Sequence, residues 1–214
     1  MPMANISAAV TIGDQDNINN CKRHGVDHVE VANEPLGAKH NSALALALTK
    51  DWDALIVLPS DDFIDARYMA LAAAAIDGGA EYVVPRSCAL YDKATGRSCL
   101  LSQREPVVGN LSFGAGRVLS RGLVERIGDE LWTPHKGRGL DTDSNARIIA
   151  NGGRATLVGL GDGIPCLTDI KTDVNLWAYD KWVSRAIYLS ADVALGMIGM
   201  ELQDGIIGRK NARR

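Results

Sequence analysis

Ala54-Leu55-Ile56-Val57-Leu58 runs without a break into Pro59-Ser60-Asp61-Asp62, and this stretch decides the fold class. Five consecutive apolar residues, bounded by Pro and Ser, read as a strand covered on both faces, as in a parallel sheet flanked by helices. Outward from it the element type alternates. Upstream, residues 6–12 are a β-branched run ending at Gly13-Asp14, and 16–24 form a short polar helix closed by Gly25. Residues 26–31 alternate as a strand, 33–37 form a turn punctuated by Pro and Gly, and 39–50 form a helix. In that helix Ala43, Leu44, Ala47 and Leu48 repeat at helical spacing. Downstream, 65–76 is an Ala-rich helix stopped by Asp77-Gly78-Gly79, and 81–85 is a strand. Strand–helix–strand alternation predicts an α/β protein with right-handed crossovers.

The pattern then changes. Residues 87–103 predict a hairpin around Lys93-Ala94-Thr95-Gly96, 109–116 are glycine-rich, and 118–127 and 141–151 predict helices. Residues 155–160 predict a last strand. Residues 180–203 predict a long amphipathic helix with Val183, Ile187, Ala194 and Ile198 on one stripe. Arg185, Asp192 and Glu201 keep it out of a membrane, so its stripe packs on the body or makes a homodimer with a second copy of the chain. The expected organisation is one domain over 1–165 and a C-terminal helical extension over 166–214.

Composition narrows the class. At about one domain per 150 residues, 214 residues make one domain with an appendage. A chain of this length buries roughly 70% of its unfolded surface and needs no staple. Apolar residues at 46% and charged residues at 23% are ordinary globular values. A net charge of −3, from 23 basic and 26 acidic residues, advertises no basic surface for nucleic acid. Cys21, Cys88, Cys99 and Cys166 show neither zinc spacing nor a disulfide framework. With no signal peptide and no long apolar run, the reading is a cytoplasmic protein without a membrane span.

Two acidic segments carry the chemistry. In an open parallel sheet ligands sit beyond the carboxyl ends of the strands, and Ser60-Asp61-Asp62 follows directly on residues 54–58. Adjacent carboxylates repel unless a cation joins them, and oxygen donors suit Mg²⁺ or Mn²⁺ sharing a diphosphate with the protein. The competing reading is that Ser60 or Asp62 caps the next helix. The second segment is Gly139-Leu140-Asp141-Thr142-Asp143-Ser144, with Arg147 one turn on; alone, Asp141 reads as an N-cap favoured by the helix dipole.

Four segments in order carry a resemblance. Asn33-Glu34-Pro35-Leu36-Gly37-Ala38-Lys39-His40-Asn41 looks like an N-x-G-L-G-x-A-x-N donor loop, and Leu58-Pro59-Ser60-Asp61-Asp62 like a metal-binding D-x-D segment. Gly114-Ala115-Gly116-Arg117-Val118-Leu119-Ser120 looks like the entry to an acceptor region, and Leu140-Asp141-Thr142-Asp143-Ser144-Asn145-Ala146-Arg147 like an E-D-x-D-x-x-x-R segment. Over roughly residues 10–160 the chain thus resembles GT-A-type, nucleotide-sugar-dependent glycosyltransferases, especially the inverting family 2. It departs from them at Pro59 and Leu140, which stand at acidic places. Relatives also begin with one more strand–helix unit, which the roughly 20 residues between Gly13 and Asn33 are too few to contain.

The resemblance implies a Rossmann-like, mostly parallel central sheet flanked by helices, and metal-dependent transfer from a nucleotide-diphosphate sugar, UDP-linked, to an acceptor hydroxyl with inversion. Asp61 and Asp62 would hold Mn²⁺ or Mg²⁺ on the diphosphate, with Asp169 reaching back to the metal. Asp141 would be the general base, ordered by Asp143 and Arg147. Asn33, Gly37, Lys39, Asn41, Ser60 and Lys171 would line the donor, Asp14 (or Asp16) would contact base or ribose, and Trp177 would stack on the acceptor. Plainer readings stand beside these: a turn aspartate at Asp14, a solvated lysine at Lys39, a packing tryptophan at Trp177. Two other functions compete. A nucleotidyltransferase shares the sheet but would show a G-x-G-x-R segment where Gly13-Asp14-Gln15-Asp16 stands. A shortened, non-catalytic relative would act in binding or assembly.

Overall fold

The computed structural model describes residues 7–103, 113–172, 179–180 and 186–196. The chain opens with β1 (Ser7–Thr11), α1 (Gln15–Arg23), β2 (Asp27–Val31), α2 (Leu36–Leu48) and β3 (Ala54–Val57). It continues with β4 (Asp62–Ile64), α3 (Ala66–Asp77), β5 (Tyr82–Pro85), β6 (Ser87–Asp92), β7 (Ser98–Ser102) and β8 (Arg117–Ser120). Then follow α4 (Arg121–Ile127), α5 (Leu140–Ala150), β9 (Ala155–Val158), β10 (Leu167–Lys171), β11 (Ile187–Tyr188) and α6 (Ala191–Leu195). The protein is a mixed α/β structure. The described strands fall into three sheets, with orders β1-β2, β11-β7-β6-β10-β4 and β3-β8-β5-β9, where one mostly parallel sheet was expected.

The chain divides into two compact units, Met1–Leu55 with Leu119–Arg154, and Ile56–Val118 with Ala155–Arg214. In the first, β1 and β2 pair in parallel from Ser7↔Asp27 to Thr11↔Val31, and α2 packs on both strands. The helices form where the sequence supplies their ends. Asp14 caps α1 by accepting from the Asn17 amide, and Lys22 and Arg23 complement its C-terminal dipole. Val10, Ile18, Leu44 and Ala47 are buried along this βαβα run.

In the second unit the β6–β7 hairpin runs antiparallel from Ser87↔Ser102 to Tyr91↔Ser98. The Asp92 carboxylate pins its turn by accepting from the Ala94 amide at 3.1 Å. β10 lies between β6, parallel to it, and β4, antiparallel to it. Residues 167–171, the start of the expected C-terminal extension, are therefore a central strand. Asp65 caps α3, and the fully buried Tyr68 on that helix donates its hydroxyl to the Gly116 carbonyl at 2.6 Å.

Three expectations are corrected. Residues 54–58 are half-buried, with Leu58 43% exposed, because β3 stands at the edge of its sheet; the strands buried on both faces include β5, with Tyr82, Val83 and Val84 at 0%, and β6. Residues 117–120 are strand, and the helix begins only at Arg121, because the extended Ser120 caps it by accepting from the Leu123 amide. The long helix expected over 180–203 is interrupted. Ile187 and Tyr188 pair with Leu100 and Cys99 of β7, and Ser190, in extended backbone, restarts the helix for only five residues. β-branched and aromatic side chains suit an added edge strand better than a helix interior. Val183, Ile198 and Trp177 lie outside the described residues. Among the described residues no helix is long and apolar enough to cross a membrane.

Replacing Tyr68 by Phe removes a buried hydrogen bond and strands the Gly116 carbonyl, at a cost of about 1–3 kcal/mol. At about 2–4 °C per kcal/mol for a chain of this size, the Tyr68→Phe variant should unfold several degrees lower in calorimetry.

Candidate functional site

The expected site residues divide between the two units. In the first, the carboxyl ends of the parallel strands β1 and β2 are bridged by a lysine from α2. Lys39 Nζ donates to Thr11 Oγ1 and to Asn33 Oδ1, each at 2.9 Å, and Thr11 Oγ1 donates to Asn33 Oδ1 at 3.1 Å. Asn33 and Lys39 are thus brought together at the end of a parallel pair, where ligands of α/β sheets sit. Asp14 is occupied otherwise: one carboxylate oxygen accepts from the Asn17 amide and the other from Asn17 Nδ2 at 2.7 Å.

The N-terminal turn of α2 is seated on the loop of residues 132–136. The Gly37 amide donates to the Lys136 carbonyl at 2.8 Å and the Ala38 amide to the Pro134 carbonyl at 3.0 Å. Asn41 clamps Trp132 from both sides, donating from Nδ2 to its carbonyl at 2.7 Å and accepting its amide at 3.1 Å. Gly37 is dictated by this seating, because a Cβ there would lie 2.1 Å from the Thr133 carbonyl oxygen. Gly37 and Asn41, expected on the donor side, therefore hold the loop with their own polar groups.

The same loop fixes the second acidic segment. Asp143, in the first turn of α5, accepts from the Thr133 amide at 2.6 Å, from Thr133 Oγ1 at 3.0 Å, and from the Lys136 ammonium. Burial pushes its carboxyl up, but the Lys136 and Thr133 hydrogen bonds and the Lys136 charge outweigh burial and hold it below the usual carboxylate range. Arg147 approaches Thr133 Oγ1 at 3.5 Å and Glu130 at 3.9 Å. Gly139, in the left-handed region at φ +68°, starts α5 without a side-chain cap. Asp141 is exposed, and its charge reaches His40 on α2.

His40 was not singled out by the sequence, nor were Thr11, Thr133 and Lys136. Its imidazole is held below its ordinary pKa by burial, with Asp141 opposing and Lys39 assisting, so the ring is neutral at pH 7. It lies 4.9 Å from the Trp132 ring, tilted by 53°. A polar residue between Lys39 and Asn41 was the one available signal.

In the second unit, Asp62 and Asp169 are direct register partners across β4 and β10. Oδ1 of each is sealed from solvent. Both raise the pKa of Cys88, whose burial is the larger cause. Asp61 accepts the Ile170 amide on its carbonyl at 3.1 Å, and Ser60 is exposed. Like charges directly opposite one another destabilise a sheet, and Lys171 answers part of that charge with a 2.5 Å ion pair to Asp169, its side chain only 10% exposed. Among the described residues no three His, Cys, Asp or Glu side chains form a group able to hold a metal ion. The donors that do meet are all carboxylate oxygens. Carboxylate oxygens are the donor type that hard divalent cations take.

Gly37→Ala should lower stability by about 1–3 kcal/mol through overpacking against the Thr133 carbonyl, read as a loss in urea midpoint. Asp143 titrates below the roughly 3.9 of an unfolded Asp. Its contacts therefore stabilise fully above about pH 4, and the stabilisation is lost as pH falls through the folded pKa. In Asp143→Asn, unfolding curves between pH 5 and pH 2 should lose that part of the acid slope. No protein-family model matches the chain, and a search of curated proteins finds no match.

Proposed function

We propose that the protein is a glycosyltransferase that moves a sugar from a nucleotide-diphosphate donor, UDP-linked, to an acceptor hydroxyl with inversion, on a GT-A-like arrangement of its sheets. One observation carries the reading: Thr11 and Asn33 hold the Lys39 ammonium at the carboxyl ends of the parallel strands β1 and β2, each at 2.9 Å, where ligands of α/β sheets sit.

In this mechanism the donor lies over the carboxyl ends of β1 and β2. Lys39, already oriented by Thr11 and Asn33, acts as a point charge toward the diphosphate. The Asp141 carboxylate takes the proton from the acceptor hydroxyl as its oxygen bonds to the anomeric carbon. The bond from that carbon to the diphosphate oxygen breaks, and its electron pair leaves with the nucleoside diphosphate. Asp143, tied to Thr133 and Lys136, holds the first turn of α5 and with it the backbone of Asp141; Arg147 backs the same loop. Within the second unit, Asp62 and Asp169, with Asp61 adjacent, are the residues that would hold Mn²⁺ or Mg²⁺, which when bound would neutralise phosphate charge.

Thermal unfolding with a panel of nucleotide-diphosphate sugars, with and without Mn²⁺, tests this. A donor at about 100 times its dissociation constant adds roughly 2.7 kcal/mol, a rise of about 5–10 °C here. One nucleotide should raise the midpoint in a metal-dependent way, and Asp141→Asn should keep that rise while losing donor turnover. No rise with any donor would sink the proposal in favour of a non-catalytic relative.

A further inference from the structure

In the second unit, α3 is apolar on every side. Its 12 residues carry only two charges, Arg67 and Asp77, with none between them. Tyr68 and Ala72 are its buried residues, and it packs against β5 and β9. The rest of the helix faces solvent. Met69, Ala70, Leu71, Ala73 and Ala74 are all exposed, Met69 by 38% and Leu71 by 45%. A surface helix ordinarily turns charged and polar residues outward, and a helix apolar all round is one that is covered. None of these residues serves in the mechanism above.

The two charges define what would cover it. A helix dipole favours anions at the N-terminus and cations at the C-terminus. Asp65 respects this at the N-cap, but Arg67 stands in the first turn and Asp77 at the last position, each at the end that disfavours it. Arg67 donates from Nε and Nη2 to Asp65, at 3.0 and 2.7 Å. Its Nη1 has no partner among the described residues, and its side chain is 66% exposed. The Asp77 carboxylate likewise has no cation partner among the described residues.

A second copy of the same helix, running antiparallel, answers both ends together. It brings Asp77 of each chain to Arg67 and the N-terminal dipole of the other. A parallel pairing would instead set Arg67 against Arg67 and Asp77 against Asp77. The antiparallel contact is also isologous, as a two-fold dimer requires. Leu71 lies beside the midpoint of the helix, so its two copies meet, and the alanines on either side of it let the two axes approach closely.

We propose that α3 is the contact of a homodimer in which two copies of this helix pack antiparallel. This surface differs from the C-terminal stripe that the sequence suggested for a dimer. One helix face, about 18 Å long, falls short of the roughly 1,200 Å² at which standard stable interfaces begin, so the dimer is weak and depends on concentration. The proposal draws on the second unit alone and is independent of the donor reading.

Sedimentation equilibrium of the full chain, up to about 1 mM, tests it. The average mass should climb from that of one chain toward that of two as concentration rises. Ala70→Glu, at an exposed helical position that suits Glu, sets like charges across the contact. It should weaken association about tenfold or more while the dilute protein stays folded. Asp77→Lys should weaken association several-fold at low salt, and decides the matter if Ala70→Glu fails to fold. Under oxidation, and relative to the unsubstituted chain, Leu71→Cys should form a covalent dimer. Ala66→Cys should not, because an antiparallel pair holds the two copies of that position at opposite ends, beyond disulfide reach. A single-chain mass at every concentration, association unchanged in a folded variant of either charge, or crosslinking through Ala66→Cys would each overturn the proposal.

Discussion

The first unit depends on one close approach, that of the α2 N-terminal turn to the loop of residues 132–136. A side chain of any size at position 37 collides with the Thr133 carbonyl oxygen, 2.1 Å from where a Cβ would stand. Two backbone hydrogen bonds and the Asn41 clamp on Trp132 follow from that contact. They place Lys39 over the ends of β1 and β2 on one side. On the other they present the Thr133 amide and hydroxyl to Asp143. A local steric permission, the missing Cβ, thereby helps to place a cation, Lys39, and a carboxylate, Asp143, that are far apart in sequence.

The second unit is organised around charge brought into a sheet. Facing Asp62 and Asp169 across two strands is unfavourable for the sheet by itself, and the Lys171 ion pair answers it from within the same strand. Removing one partner of such a pair leaves an uncompensated charge at a cost of several kcal/mol, about 3–5. Such a pair is therefore weak evidence of net stability. Cys88, kept protonated by burial and by these two carboxylates, is packing material there and not a nucleophile.

Most helices and long strands were legible because their signals are local. Asp14 and Asp65 cap α1 and α3, Ser120 announces α4 once its extended backbone is seen, and the hairpin turn is written in Asp92 to Gly96. What escaped was short or paired at long range. β4 and β10, of three and five residues, contain Asp62 and Asp169, which weaken any apolar pattern. β11 exists only because β7 offers it an edge. An apolar run also does not say where in a sheet its strand will lie, so residues 54–58 read as a central strand and stand at an edge.

The sequence by itself determined the alternation of elements and the two acidic segments, because caps, turns and periodicity act over a few residues. It also singled out Asp169 and Lys171 without showing how they meet Asp62. Tertiary structure alone decided that Asp62 faces Asp169, that Gly37 and Asn41 serve the loop of residues 132–136, and that the Asp141 charge acts on His40. Those outcomes depend on strand register and on the exclusion of overlapping atoms between segments some 91 to 107 residues apart. No local signal carries that information.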